Sequence, residues 1–301
     1  MNILRHPIYN MANLLTVCNL LLGVFSIFCS LNGKLDWACY ALLIAMACDF
    51  LDGMLARILK VSGDFGKQLD SLADMVSFGV APGTLMFVMI IIGIDVDAWK
   101  NYNAVHMGCQ LDASQFAQIK IQQWADAFFY NTHDGVELYN PCVQPSFQNP
   151  YDASIKYLPF LAFLIPLFSM LRLAKFNIDV NQTESFVGVP TPMSTFFFMF
   201  FPLFFYFYFL DFSIQPLAVH ALFDCYSLAG IVFVFSPLMM APIHLIALKF
   251  KTLNFKENAF RFSLVGLSLI SIPIFQLWSL PIILILYIGL SILQRILTHK
   301  K

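Results

Sequence analysis

The sequence predicts an all-α fold, a polytopic transmembrane bundle of about eight spans, and three observations lead there. The 301 residues are 59% hydrophobic and only 12% charged, whereas a soluble domain carries roughly 25% charged residues. Its apolar runs reach the ~20 residues a helix needs to cross a bilayer. The basic residues fall unevenly between the loops that such spans would create. A net charge of -1 gives no basis for binding nucleic acid.

The first apolar run, residues 13–31, follows the short basic start MNILRHPIYN. No small-residue cleavage site follows it, so it reads as a retained span rather than a signal peptide. The second span, 36–58, ends in CDFLDGMLARI, and the third, 70–94, opens with DSLADMVSFGVAPG. Spans four and five are placed at 157–177 and 191–210, where the Phe-rich stretch 196–209 reads as lipid-facing. Residues 225–248, 262–277 and 279–296 supply the last three. An even number of spans puts both termini on one side. Arg5, Arg57, Lys60, Lys67, Arg172, Lys175, Lys249, Lys251, Lys256, Arg261, Arg295, Lys300 and Lys301 fall on that side, and Lys34, Lys100, Lys120 and Lys156 on the other. The positive-inside rule makes the first side cytoplasmic, in a multi-pass protein of the cell membrane.

Three regions result: residues 1–94 with spans one to three, a polar insert at 95–156, and residues 157–301 with the remaining spans. The insert carries Asp95, Asp97, Asp112, Asp126, Asp134, Glu137 and Asp152 and is expected outside the cell. It is long for a structureless loop, and ASQFAQIKIQQWADAFF, from Ala113, has the periodicity of an amphipathic helix. Cys109 and Cys142 lie in it; the sequence leaves open whether they pair or stay as thiols. The other cysteines read as small core residues. His220 and His244 read as satisfied lone histidines, and Trp37, Trp99 and Trp278 as interfacial anchors.

Asp49, Asp52, Asp70 and Asp74 are the chemical anomaly, since carboxylates near hydrocarbon persist mainly where they bind cations or move protons. Asp49 and Asp52 are three apart and Asp70 and Asp74 four apart, so each pair shares a helix face. The first pair ends span two and the second begins span three across a short basic turn. Antiparallel packing would gather four negative charges, which divalent cations with oxygen ligands would neutralise. Gly53 and Ala56 leave room beside them, Arg57 offers a planar fork to phosphate, and Gly66 removes bulk one turn before Asp70. Metals, an arginine and a small-residue groove describe a diphosphate site. Asn13, Thr16 and Asn19, at the entry to span one, fit either nucleotide contact or helix capping and packing.

These eight positions, Asp49, Asp52, Gly53, Ala56, Arg57, Gly66, Asp70 and Asp74, match the signature D-x2-D-G-x2-A-R-x8-G-x3-D-x3-D. The chain thus resembles the CDP-alcohol phosphotransferase family. The resemblance implies a six-helix core, here with two added C-terminal helices, and two Mg2+ or Mn2+ ions per site. Asp49, Asp52 and Asp70 would hold one ion and Asp49, Asp70 and Asp74 the second. Asp74 would be the catalytic base, and Gly53, Ala56, Arg57 and Gly66 would line the cytidine diphosphate. A homodimer is implied by the same analogy.

SFGVAPG, from Ser77 to Gly83, and LRLAKFNIDVNQTESFVGVPTPMS, from Leu171 to Ser194, are similar to the integral-membrane serine branch of that family. So is the N-terminal MANLLTVCNLLLG, with Ala12 at a position where proline is usual. That branch transfers the phosphatidyl group of CDP-diacylglycerol to L-serine in the membrane, releasing CMP. Lys175 and Val189 stand where arginine and leucine are commoner. Arg172 and Lys175 are candidates for acceptor or phosphate contact, with ordinary membrane anchoring as their alternative. Other acceptors, glycerol 3-phosphate or inositol phosphate, should demand more cations than are visible. An ion-coupled transporter would place acids near midspan in several helices rather than at one surface.

Overall fold

The computed structural model describes residues 11–59, 63–100, 111–129, 155–178, 186–245 and 259–298. They form a helical bundle in the order α1 (Met11–Leu31), α2 (Leu35–Leu59), α3 (Asp64–Met75), α4 (Ala81–Gly93), α5 (Val96–Lys100), α6 (Ala113–Phe129), α7 (Leu164–Ile178), α8 (Thr191–Phe198), α9 (Phe200–Phe207), α10 (Leu217–Leu222), α11 (Cys225–Phe235), α12 (Ala259–Phe275) and α13 (Ser279–Thr298). One short antiparallel pair joins β1 (Phe186–Val187) to β2 (His244–Leu245). Among the described residues, four helical segments are long and apolar enough to cross a membrane: Met11–Leu31, Asp64–Gly93, Ile155–Ile178 and Phe260–Leu297. The last is a hairpin, because the chain reverses at Gln276, whose φ of 47° lies in the left-handed region. With α2 and the shorter apolar helices Thr191–Phe207 and Cys225–Met239, this is an integral membrane protein.

Helix α1 has its polar side inward. Its buried positions are Ala12, Asn13, Thr16, Asn19, Gly23, Ser26, Cys29 and Ser30, a stripe of polar and small residues at helical spacing. Leu14, Leu21, Phe25 and Phe28 face outward. Small residues let backbones approach in membranes. A Cβ on Gly23 would lie 2.7 Å from the Ser77 Cα, so α1 touches the main chain of the third span.

That span departs from the expected single helix over 70–94. It begins six residues earlier, at Asp64, and widens to a π turn at Val76–Val80 between α3 and α4. Pro82 explains the widening: it has no N–H to give the Phe78 carbonyl four residues back. The Ala81 N–H instead reaches the Val76 carbonyl. The orphaned Phe78 carbonyl accepts from Thr195 Oγ1 at 3.2 Å and Ser169 Oγ at 3.5 Å, which ties α8 and α7 to the turn. In hydrocarbon such a group must be satisfied internally. The sixth span is shorter than expected, its helical part ending at Met239; Pro237 and Pro242 flank that end.

The insert helix forms as expected, and it docks. Lys120 and Asp95 make a buried ion pair at 2.8 Å, with side-chain exposures of 0% and 1%. Burial lowers the Lys120 pKa, and the Asp95 carboxylate opposes that fall. Trp99 corrects its reading as an interfacial anchor. It is buried, donates from Nε1 to the Phe209 carbonyl at 3.0 Å and stacks on Phe212. The Phe-rich stretch is likewise not lipid-facing: Phe198, Phe200, Phe201, Phe204, Phe205 and Phe209 are buried, leaving Phe207 and Tyr206 outside. Helices α8 and α9 run through the middle of the bundle and pack on α4, so aromatic volume fills the interior. Trp37 is exposed as expected, while Trp278 is on the margin and packs on Phe200. His220 meets the Phe212 carbonyl at 2.7 Å, which satisfies it. Cys109 and Cys142 lie outside the described residues.

Candidate active site

The aspartates lie where three helices meet. The chain crosses from α2 to α3 within a few residues, so Asp49 and Asp52, near the end of α2, come opposite Asp70 and Asp74 on α3. Asp49, Asp70 and Asp74 each present a carboxylate oxygen within 4.8 Å of the others. At an effective dielectric of 20, each pair of full charges so placed would repel by roughly 3.5 kcal/mol. Asp70 Oδ1 is buried with no partner among the described residues. A hard divalent cation with an all-oxygen ligand set fits both observations.

Asp52 stands slightly apart, 4% exposed, where Thr16 Oγ1 donates to its Oδ2 at 2.6 Å. Asn19 Nδ2 donates to Asp74 Oδ1 at 3.0 Å. The α1 stripe therefore meets one carboxylate from each pair, with Thr16 and Asn19 in direct contact with the aspartates. Asn13 lies against Gly66, whose Cβ would sit 3.4 Å from Asn13 Oδ1. The spacing 13, 16, 19 in an apolar span is a visible signal of an inward polar face; the identity of the partner is not.

The groove residues are where a ligand could use them. A Cβ on Gly53 would meet nothing within 4 Å, so that face is open. Arg57 is exposed in the last turn of α2, its Nε donating to the Gly53 carbonyl at 2.8 Å, which leaves the Nη groups outward. Gly66 opens α3 one turn before Asp70. Ala56 is half-buried beside them.

Arg172 and Lys175, paired in the sequence reading, part company. Lys175 is exposed on the last turn of α7, but Arg172 is 8% exposed and its Nε has no hydrogen-bond partner among the described residues. Asp74 is within electrostatic reach of Arg172. A cross-link from Asn177 Nδ2 to Ser71 Oγ, at 3.0 Å, holds α7 against α3. At the N-terminus of α8, Gly188 adopts φ 81°, and a Cβ there would run into the Met239 carbonyl, so the GVP turn requires glycine.

Residues 9–106 match the family model described as CDP-alcohol phosphatidyltransferase. The chain is 26% identical over 189 residues to a CDP-diacylglycerol–serine O-phosphatidyltransferase of Helicobacter pylori, covering 62% of this chain and 54% of that protein. A Bacillus subtilis protein of the same name is 26% identical over 185 residues, 60% of this chain and 68% of that one. An archaetidylserine synthase of Methanothermobacter thermautotrophicus is 44% identical over 78 residues, 25% of this chain and 33% of that protein. The chain thus spans about half the length of the Helicobacter relative. The aspartates Asp49, Asp70 and Asp74 that gather in the structure all lie within residues 9–106, the part of the chain that matches the CDP-alcohol phosphatidyltransferase family model.

Proposed function

We propose that this protein transfers the phosphatidyl group of CDP-diacylglycerol to L-serine, forming phosphatidylserine and CMP at the cytoplasmic face of the cell membrane. The observation that carries the reading is the convergence of Asp49, Asp70 and Asp74, with a buried Arg172 in electrostatic reach of Asp74 whose Nε has no hydrogen-bond partner among the described residues. The first three suit a diphosphate with its cations, and the fourth suits an anionic acceptor. The names of the relatives point to the same substrates.

Two Mg2+ or Mn2+ ions, held by Asp49, Asp52, Asp70 and Asp74, would neutralise the diphosphate and polarise its phosphorus. The chain's own groups do the rest. The open Gly53–Ala56 face receives the cytidine diphosphate, and the Arg57 fork binds its phosphate. Asp74 takes the serine hydroxyl proton, aligned by Asn19. The serine oxygen forms a bond to the phosphorus that bears diacylglycerol, and the bond from that phosphorus to the bridging oxygen breaks. That oxygen leaves with CMP. Arg172 pairs with the serine carboxylate, and Lys175 adds positive potential at the entrance. The acyl chains remain in lipid. The excess of basic residues on one side supports a cytoplasmic site with residues 95–156 outside, and the family analogy supports a homodimer.

Purified protein given CDP-diacylglycerol, Mg2+ or Mn2+ and a panel of alcohols tests this by CMP release. Serine-dependent release is expected. Release driven by glycerol 3-phosphate or inositol phosphate instead would refute the acceptor, and no acceptor-dependent release at all would refute the reaction.

A further inference from the structure

Helix α7 is pinned to the third span at two levels. At the rim of the site Asn177 Nδ2 donates to Ser71 Oγ at 3.0 Å, and that hydroxyl lies 3.1 Å from both Asn177 Oδ1 and the Lys67 carbonyl. Deeper in the bundle Ser169 Oγ donates to the Phe78 carbonyl at 3.5 Å, and a Cβ on Gly79 would lie 3.1 Å from the Ser169 Cβ. Ser71 and Phe78 are seven residues apart and Ser169 and Asn177 eight, about 10 and 12 Å at 1.5 Å per residue. The two helices therefore run side by side in opposite directions. Asp74 is three residues beyond Ser71 and Arg172 three beyond Ser169, spacings that keep each on the face that carries a pin. Along the axes Asp74 is about 4.5 Å from the rim pin and Arg172 about 7.5 Å, so the two stand within one helical turn of the same depth. Arg172 and Leu173 are the buried residues of α7 between the pins, and the Arg172 Nε has no hydrogen-bond partner among the described residues. A donor left so at that depth is costly, and a bound anion would satisfy it.

We propose that Asn177 is a positioning residue for acceptor selection. Through Ser71 it holds α7 at the register that sets Arg172 level with Asp74, so that one small acceptor spans the two, its carboxylate on the arginine and its hydroxyl at the aspartate. The proposal rests on the reading of Arg172 given under Proposed function and extends it to what keeps that arginine in place. The deep pin does not fix the register alone, since its 3.5 Å bond is long and the Phe78 carbonyl is shared with Thr195 at 3.2 Å. Helix α7 ends at Ile178, one residue past Asn177, so the rim pin ties down a helix end that would otherwise fray. A slip of α7 by one residue would shift Arg172 by about 1.5 Å and turn it by about 100°. That is enough to take its fork away from an acceptor held at Asp74. Gly53, Ala56 and Arg57, the proposed cytidine diphosphate contacts, are all on α2 and are untouched by such a slip. Losing the pin therefore weakens the acceptor and spares the nucleotide.

The test uses Asn177→Ala and Ser71→Ala, singly and together, in the full-length protein, with CMP release measured against the concentrations of L-serine and of CDP-diacylglycerol. Asn177 is exposed, so its truncation leaves the core intact. Each single variant is expected to raise the serine KM about fivefold, the scale of one neutral hydrogen bond, with the KM for CDP-diacylglycerol within twofold of wild type. The double variant should rise no further than the larger single, because both remove the same bond. Ser71→Thr, which keeps the hydroxyl, should stay near wild type. A serine KM within twofold of wild type in N177A overturns the proposal. So does additivity in the double variant, which would mean that the two residues act apart, and so does a parallel rise of both KM values, the mark of a general distortion. Arg172→Gln addresses the underlying reading separately. That reading falls if wild type shows no serine-dependent release or if R172Q keeps the serine KM, and both results are distinct from the three that overturn the role of Asn177.

Discussion

Replacing Thr16 with valine tests whether α1 helps to build the site. The Thr16 hydroxyl donates to Asp52 Oδ2 across 2.6 Å, from a residue 36 positions away, and both side chains are buried at 4% exposure. Valine keeps the branched shape and removes the donor. A hydrogen bond to an ionised group contributes about 1.5–3 kcal/mol net. Asp52 also accepts from the Gly53 backbone, so the lower part of that range applies. At 1.4 kcal/mol per tenfold, the proposed metal-ligand set should lose about tenfold in apparent cation affinity. Orienting partners of metal ligands typically act on that scale. The assay is CMP release as a function of Mg2+ or Mn2+ concentration at saturating CDP-diacylglycerol, with Thr16→Ser as the hydroxyl-retaining control. A right-shifted metal titration in T16V, largely restored in T16S, is expected. A T16V titration within twofold of wild type would show that the Thr16–Asp52 bond does not order the ligand set.

Four further outcomes are expected. Asp74→Asn should lower turnover by about 10²–10⁴, the usual worth of a general base, while binding of CDP-diacylglycerol largely persists in a competition assay. Chelation with EDTA should abolish CMP release and addition of Mg2+ or Mn2+ should restore it; full activity in chelator would rule out the metal reading. Lys120→Met should destabilise the fold by about 3–5 kcal/mol by removing the buried counter-charge of Asp95, seen as a lower melting temperature in detergent, and the double variant with Asp95→Leu should recover much of the loss. Gly188→Ala should lower the melting temperature as well, because the left-handed backbone alone costs roughly 1–2 kcal/mol and the added methyl meets the Met239 carbonyl.

Much of the site was legible because its information is local. Register along one helix decides that Asp49 and Asp52 share a face, and likewise Asp70 and Asp74, and a short turn decides that the two pairs meet. The span pattern was legible for the same reason: hydropathy and chain length act on each segment alone. The π turn was harder to see, although Pro82 was in view, because a missing N–H predicts a break but not that Thr195 and Ser169 would take over the Phe78 carbonyl. The Phe-rich stretch misled because phenylalanine is equally at home in lipid and in a membrane-protein interior. Only packing distinguishes the two environments.

The sequence by itself determined the class of the protein, the eight positions of the signature and the chemistry that four carboxylates beside a glycine-lined groove can perform. Tertiary structure alone decided which distant side chains serve that chemistry. Thr16 and Asn19 reach the aspartates from α1, and Arg172 turns inward while Lys175 stays outside. The physical reason is that side chains three or four residues apart on a helix are placed by covalent geometry. Which helix lies beside which is set by how every face in the bundle packs at once, and no local spacing carries that.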